Sequence, residues 1–199
     1  MYRTLAKKIT NYFIRRNIIS DKEKDIYSYG FEIMISSFVY LIIFLTVALI
    51  SQTLLASLFF WLGLFIIRKT AGGHHANSYT SCHILFLINH IVFVIIALLL
   101  PQSIYIFFNI ASLAISIALV FILAPVDHKN KPFINNEYNR FKLLSRLYCI
   151  VLSIILVFEC CKVIPQNKIV LAFSFGTLSA TCSLVSGKII RKKERKSEQ

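Results

Sequence analysis

Long apolar runs alternate along the chain with short polar connections. Six runs stand out, at about 31–51, 53–67, 83–100, 103–124, 147–164 and 169–187. Several approach the ~20 apolar residues an α-helix needs to cross a bilayer. The pattern predicts an all-α fold, a polytopic membrane bundle of about six transmembrane helices with both termini cytoplasmic. The second run is short, and the last two carry Glu159, Ser and Gly, so a four-span arrangement with re-entrant or peripheral segments is the alternative. Ahead of the first run, Leu5, Ile9, Tyr12, Phe13 and Ile18 recur near helical spacing, with Lys7, Lys8, Arg15 and Arg16 elsewhere. That predicts an amphipathic helix lying on the membrane surface, and its charges interrupt any signal-peptide core. The expected division is therefore 1–30, an amphipathic cytoplasmic segment; 31–187, the transmembrane bundle; and 188–199, a basic cytoplasmic tail. Residues 124–142 form the one long polar loop, broken by Pro125 and Pro132.

Composition agrees with the pattern. Hydrophobic residues make up 57% of the 199 and charged residues 16%, against roughly 25% charged in a soluble domain. The net charge of +13 argues for anionic lipid facing cytoplasmic loops, with an acidic peptide as a further partner. It argues against nucleic acid, because the basic residues flank apolar spans. With the N-terminus inside, the inner segments hold seven Lys or Arg before residue 31, two at 68–69, five from 129 to 146 and six from 188 onward. The outer loops keep only Lys162 and Lys168 of the 22 in the chain. This asymmetry fits the positive-inside rule and an even number of spans, and it puts residues 68–82 on the cytoplasmic side.

The five cysteines are Cys82, Cys149, Cys160, Cys161 and Cys182. An odd number without C-x-x-C argues against a disulfide framework or a zinc ribbon. Four lie inside apolar runs and read as small buried fillers. Cys82 sits at the mouth of a run.

The stretch "RKTAGGHHANSYTSC", residues 68–82, gathers reactive side chains at a membrane edge, where polar groups are costly and are functional candidates. One reading is a cysteine–histidine dyad: Cys82 in the first turn of the next helix, where the dipole favours a thiolate, and His75 as proton acceptor. On one continuous helix, seven residues span roughly 10 Å, so the dyad requires a turn. Gly72 and Gly73 let the backbone fold back, and Thr80 or Ser81 offers an N-cap. A second reading is a zinc site drawn from His74, His75, Cys82, His83 and His90, although the spacing matches no short zinc motif. The third is a polar connection with no chemistry. His83 reads as structural, Asn89 and His90 as interhelical hydrogen-bonding groups, and Glu159 as an i+3 partner of Lys162.

The same stretch, followed by "APVDHKNKP" at 124–132, resembles the signatures of the AgrB family (accessory gene regulator protein B), membrane-embedded cysteine peptidases that process quorum-sensing pro-peptides. Length, span pattern and the basic N-terminal segment fit along the whole chain. The resemblance implies Cys82 as nucleophile and His75, rather than His74, as the catalytic histidine. It implies an AgrD-like pro-peptide as substrate, with an amphipathic leader, a signal segment carrying an internal Cys or Ser, and an acidic tail. It also implies a homodimer, and neither metal nor cofactor. Arg68 and Gly73 match positions typical of the family. Around the dyad, Arg68, Lys69, Lys129 and Lys131 are candidates to hold the acidic tail, Gly72 and Gly73 to shape the loop, and Asp127 to support the histidine. The competing classes are a small membrane transporter or assembly protein, whose polar residues would lie at the bilayer midplane, and a zinc-dependent membrane hydrolase, for which H-E-x-x-H is lacking.

Overall fold

The structure is a computed structural model that describes residues 2–73, 79–126, 133 and 136–197, with side chains omitted at 79, 80 and 194–197. It contains α1 (Tyr2–Arg15), α2 (Lys24–Ile50), α3 (Leu54–Thr70), α4 (Tyr79–Leu99), α5 (Tyr105–Leu123), α6 (Glu137–Cys160) and α7 (Lys168–Ser197), with single 3-10 turns at Asp21–Glu23 and Gln102–Ile104. No strand occurs among the described residues. The chain is an all-α bundle, and α2 to α7 overlie the six apolar runs in order. Five of them, α2 and α4 to α7, are long and apolar enough to cross a membrane. The exception is α3, whose 17 residues rise about 25 Å, short of a ~30 Å hydrocarbon core.

Helix ends depart from the apolar runs where polar residues continue the helix. α2 starts at Lys24, several residues before its run, continuing from the 3-10 turn Asp21–Glu23 that a Ser20–Glu23 capping box begins; Ser20 Oγ donates to Glu23 Oε2 at 2.8 Å. α6 starts at Glu137, and α7 continues through Lys188 to Ser197, so the basic tail extends a transmembrane helix.

The centre of the bundle is α7, packed between α3 and α5. Ala172, Gly176 and Ala180 recur every four residues on its buried face, the small-residue spacing that lets helices approach closely in a membrane. A Cβ on Gly176 would collide with the Phe60 carbonyl of α3, and one on Gly63 with the Phe173 carbonyl of α7. Each glycine thus admits the other helix's backbone. Gly176→Ala is expected to cost about 2–3 kcal/mol, because backbone rather than a flexible side chain must give way. Thermal unfolding in detergent measures this, and an unchanged midpoint would refute the close-approach argument.

Along α5, Arg146 of α6 lies 3.8 Å over the Phe121 ring, and the Cys149 thiol reaches the Ile117 carbonyl at 3.8 Å. Elsewhere, large apolar side chains such as Phe38, Phe107, Ile122 and Leu99 face outward, as a lipid-facing belt requires. On α1, Ala6 and Thr10 are buried, and Phe13 stacks on Phe31 of α2 at 5.6 Å. Leu5 and Tyr12 of α1, and Ile18 just beyond it, remain exposed, so Ala6, Thr10 and Phe13 dock the helix while these apolar residues stay available to the bilayer. Of the four cysteines read as buried fillers, only Cys149 is buried; Cys160, Cys161 and Cys182 are exposed. The correction follows from the solvent: an apolar run in a membrane protein has lipid-facing as well as buried positions.

Candidate active site

Cys82 lies in the opening turns of α4, half-buried and in no disulfide. Its position four residues into the helix keeps it in the positive end of the helix dipole, which favours an ionised thiol. α4 begins at Tyr79, so Thr80 and Ser81 are inside the helix and are not its N-cap. Phe86 and His90 follow Cys82 at four-residue spacing, on the same face.

Arg68 lies in the last turn of α3, just past its apolar run, and is half-buried. Its guanidinium carbon sits 4.9 Å from the Phe86 ring centroid, and Nη1 donates to Ser183 Oγ of α7 at 2.8 Å. Burial lowers the Arg68 pKa from its usual value, and charge on Cys82 opposes that shift. A guanidinium remains protonated in either case. Arg68 is therefore a fixed positive charge, held against Phe86 one turn along the helix from Cys82. The Tyr40 ring of α2 stacks on His83, the residue after Cys82, at 5.3 Å and 11°. Four helices thus meet at the start of α4: α2 through Tyr40 on His83, α3 through Arg68 on Phe86, α4 itself, and α7 through Ser183, which anchors Arg68.

The connection after α3 is tied to the one after α5. Val126 N donates to the Ala71 carbonyl at 2.9 Å, and Gly72 and Val126 form an isolated parallel bridge. The Ala124–Pro125 peptide is cis. Gly72 has φ +83° and Gly73 φ +141°, a left-handed conformation that side chains disfavour. A Cβ on Gly72 would strike the Val126 carbonyl, and one on Gly73 would lie 3.2 Å from Ser183 Oγ. Ser145 of α6 reaches the Thr70 carbonyl at 3.5 Å. The beginnings of "GGHH" and "APVDH" are thereby held side by side, at the Cys82 end of the bundle.

The predicted site residues divide accordingly. Cys82, Arg68, Gly72 and Gly73 come together. Lys69 does not join them: it is exposed, with Nζ 5.4 Å from the Phe65 ring on its own helix, because consecutive helical residues diverge by about 100°. His75, Asp127, Lys129 and Lys131 lie outside the described residues, as does His74. His90 accepts or donates a 2.9 Å hydrogen bond with Ser57 of α3, as an interhelical tie should, whereas Asn89 bonds the Leu85 carbonyl of its own helix. Glu159 does not pair with Lys162. It is fully buried, and its carboxylate accepts hydrogen bonds from Asn109 and Gln166. Among the described residues no cluster of three His, Cys, Asp or Glu is placed to hold a metal. Tyr40, Phe86 and Ser183 were not anticipated. Phe86 was accessible through its i+4 spacing from Cys82; Tyr40 and Ser183 arrive from distant helices and leave no local signal.

These features define a class: a polytopic helical membrane protein with a thiol, a half-buried arginine and two tied connections at one end of its bundle. The accessory gene regulator B family model matches residues 6–185, and the chain belongs to that family. The Accessory gene regulator protein B of Staphylococcus epidermidis is 32% identical over 139 residues, covering 69% of this chain and 67% of the relative. An AgrB-like protein of Clostridium perfringens strain 13 is 29% identical over 154 residues, covering 70% and 71%. No solved structure matches. Membership places the chain in the agr quorum-sensing system, where the family works with AgrD.

Proposed function

We propose that this chain is a membrane-embedded cysteine endopeptidase that cleaves the C-terminal tail from an AgrD-like pro-peptide and promotes cyclisation of what remains. The observation that carries the reading is Cys82 in the opening turns of α4, at the end of the bundle where the connection that leads on to His75 in the sequence is tied to the one after α5.

The chemistry follows from the residues. His75 takes the Cys82 proton, and the thiolate attacks the carbonyl at the junction of signal segment and tail. His75 then returns the proton to the departing amine. The signal segment is left as a thioester on Cys82. An internal thiol of the pro-peptide attacks that carbonyl and displaces the Cys82 thiolate, closing a thiolactone; an internal hydroxyl gives a lactone. Exchange of one thioester for another is nearly thermoneutral, so closure needs a positioned peptide and exclusion of water rather than an energy source. The charge asymmetry of the loops supports a cytoplasmic site on a multi-pass cell-membrane protein, within reach of a leader lying on the bilayer. A homodimer accords with the family resemblance.

The test is intact mass spectrometry after co-expression with a cognate pro-peptide. Wild type is expected to release the tail and yield a fragment lighter by one water than the linear signal segment, while His75→Ala yields precursor only. Cleavage to the linear fragment alone would refute the cyclising step. Charge reversal at both Lys129 and Lys131 is expected to weaken processing about 10-fold or more by removing attraction for the acidic tail. Unchanged processing would remove those two lysines from substrate binding.

A further inference from the structure

A thiolate that adds to a peptide carbonyl pushes the carbonyl's π pair onto oxygen. That charge needs hydrogen-bond donors aimed at it, and they count for most where water is scarce. The main chain at Cys82 does not offer one. Cys82 is the fourth residue of α4, and the fourth amide is the first that an α-helix takes into its own ladder. A side-chain donor is therefore called for. Arg68 is already engaged, with Nη1 on Ser183 and its face on Phe86.

Tyr40 of α2 is placed differently. Its ring lies 5.3 Å from the His83 ring and 6.4 Å from that of Phe86. His83 follows Cys82, and Phe86 stands one turn on along the same face. A ring against both lies on the flank of Cys82. α2 and α4 run parallel here: Tyr40 meets His83, and one turn later Phe44 meets His90 at 4.2 Å. Long side chains lean toward the N-terminus of their own helix. The Tyr40 hydroxyl is thereby carried toward the end of the bundle where α4 begins, and away from His90. Tyr40 is half-buried, and its hydroxyl makes no hydrogen bond among the described residues. A hydroxyl without a partner in apolar surroundings is costly, and a substrate carbonyl oxygen supplies that partner.

We propose that Tyr40 is an oxyanion donor for the Cys82 reaction, an assignment that rests on the peptidase reading above. The Cys82 sulfur bonds the carbonyl carbon, the π pair moves to oxygen, and the Tyr40 O–H donates to that oxygen. On collapse the pair returns, the C–N bond breaks, and the departing amine takes the proton held by His75. Tyr40 keeps its own proton throughout, as a phenol does at neutral pH. Attack of the internal thiol on the thioester passes through an oxyanion at the same carbon, so one hydroxyl serves both cleavage and ring closure. Nucleophile and donor stand on different helices, and the contacts of Tyr40 with His83 and Phe86 set the distance between them.

The test is steady-state processing of a cognate pro-peptide by the purified full chain in detergent, comparing wild type, Cys82→Ala, Tyr40→Phe and Tyr40→Ala. The rate of Cys82 alkylation by iodoacetamide, read by peptide mapping, and the unfolding midpoint are measured alongside. Tyr40→Phe removes one oxygen and keeps both ring contacts. Its kcat is expected to fall about 100-fold or more, the scale of losing one oxyanion donor, with KM, alkylation rate and midpoint unchanged. Tyr40→Ala also loses the ring contacts, so it is expected to lower the midpoint as well as kcat. Wild-type turnover by Tyr40→Phe, with Cys82→Ala inactive, would overturn this assignment and leave the peptidase reading standing. A raised KM at unchanged kcat would overturn it too, making Tyr40 a substrate-binding residue. Alkylation slowed as much as processing would move the hydroxyl's role to the thiol. Turnover by Cys82→Ala, or none by wild type, would overturn the peptidase reading and this assignment with it.

Discussion

Cys82→Ala is expected to reduce release of the pro-peptide tail by about 10⁴-fold or more, the scale seen when a catalytic nucleophile is removed. A half-buried thiol in the opening turns of α4 contributes little to packing, so the unfolding midpoint should move by no more than about 2 °C. Loss of turnover without loss of fold would mark a chemical role. Cys82→Ser sharpens the test. It preserves the shape, but a hydroxyl is far less acidic than a thiol, so neither the N-terminal dipole of α4 nor the Arg68 charge raises its ionised fraction enough to matter. Serine should therefore behave nearly as alanine does. If serine were to attack, the acyl-enzyme would be an oxygen ester, and its mass would persist on the protein instead of passing to the peptide. The readout is intact mass of both enzyme and peptide from one co-expression. Tail release by Cys82→Ala at a tenth of the wild-type level or above would move the nucleophile elsewhere.

The helices were legible because hydropathy reports where a chain is apolar for about 20 residues, and that requirement comes from the bilayer itself. Which face of each helix meets lipid was not. Cys160, Cys161 and Cys182 face outward while Ser57, Asn109 and Glu159 are fully buried, the inverse of the soluble rule, because lipid is as apolar as leucine. The central position of α7 was recorded in its Ala172–Gly176–Ala180 spacing, a signal that mean hydropathy averages away. At the candidate site, Cys82 and the Gly-Gly pair stood out because they occupy one short stretch. Tyr40 and Ser183 are far from it in sequence and join it only once α2 and α7 have packed. Glu159 had a charged neighbour at i+3, and helical spacing alone paired the two. The helix ends at Cys160, however, and Lys162 has φ +56°, so the chain has already turned and the i+3 relation does not apply.

Gly72→Ala carries the second large effect, and it separates loop geometry from bundle stability. The residue holds φ +83° with the Val126 carbonyl against the place a Cβ would occupy. Alanine there incurs about 1–2 kcal/mol for the left-handed backbone alone. The collision adds a demand that the two connections part, which breaks the 2.9 Å bond from Val126 N to the Ala71 carbonyl. The helices beneath need not move, since Arg68, Ser183 and Phe86 meet one turn lower, inside the bundle. The unfolding midpoint should therefore fall by only about 4–8 °C, while processing falls about 100-fold, the penalty for displacing reacting groups by about 1 Å. Gly30→Ala provides the control: it lies within α2 with nothing near its added Cβ, and alanine favours a helix, so stability should rise slightly and processing should not change. Should Gly72→Ala process the pro-peptide as wild type does, the tie between the two connections would be a feature of the fold with no part in the reaction.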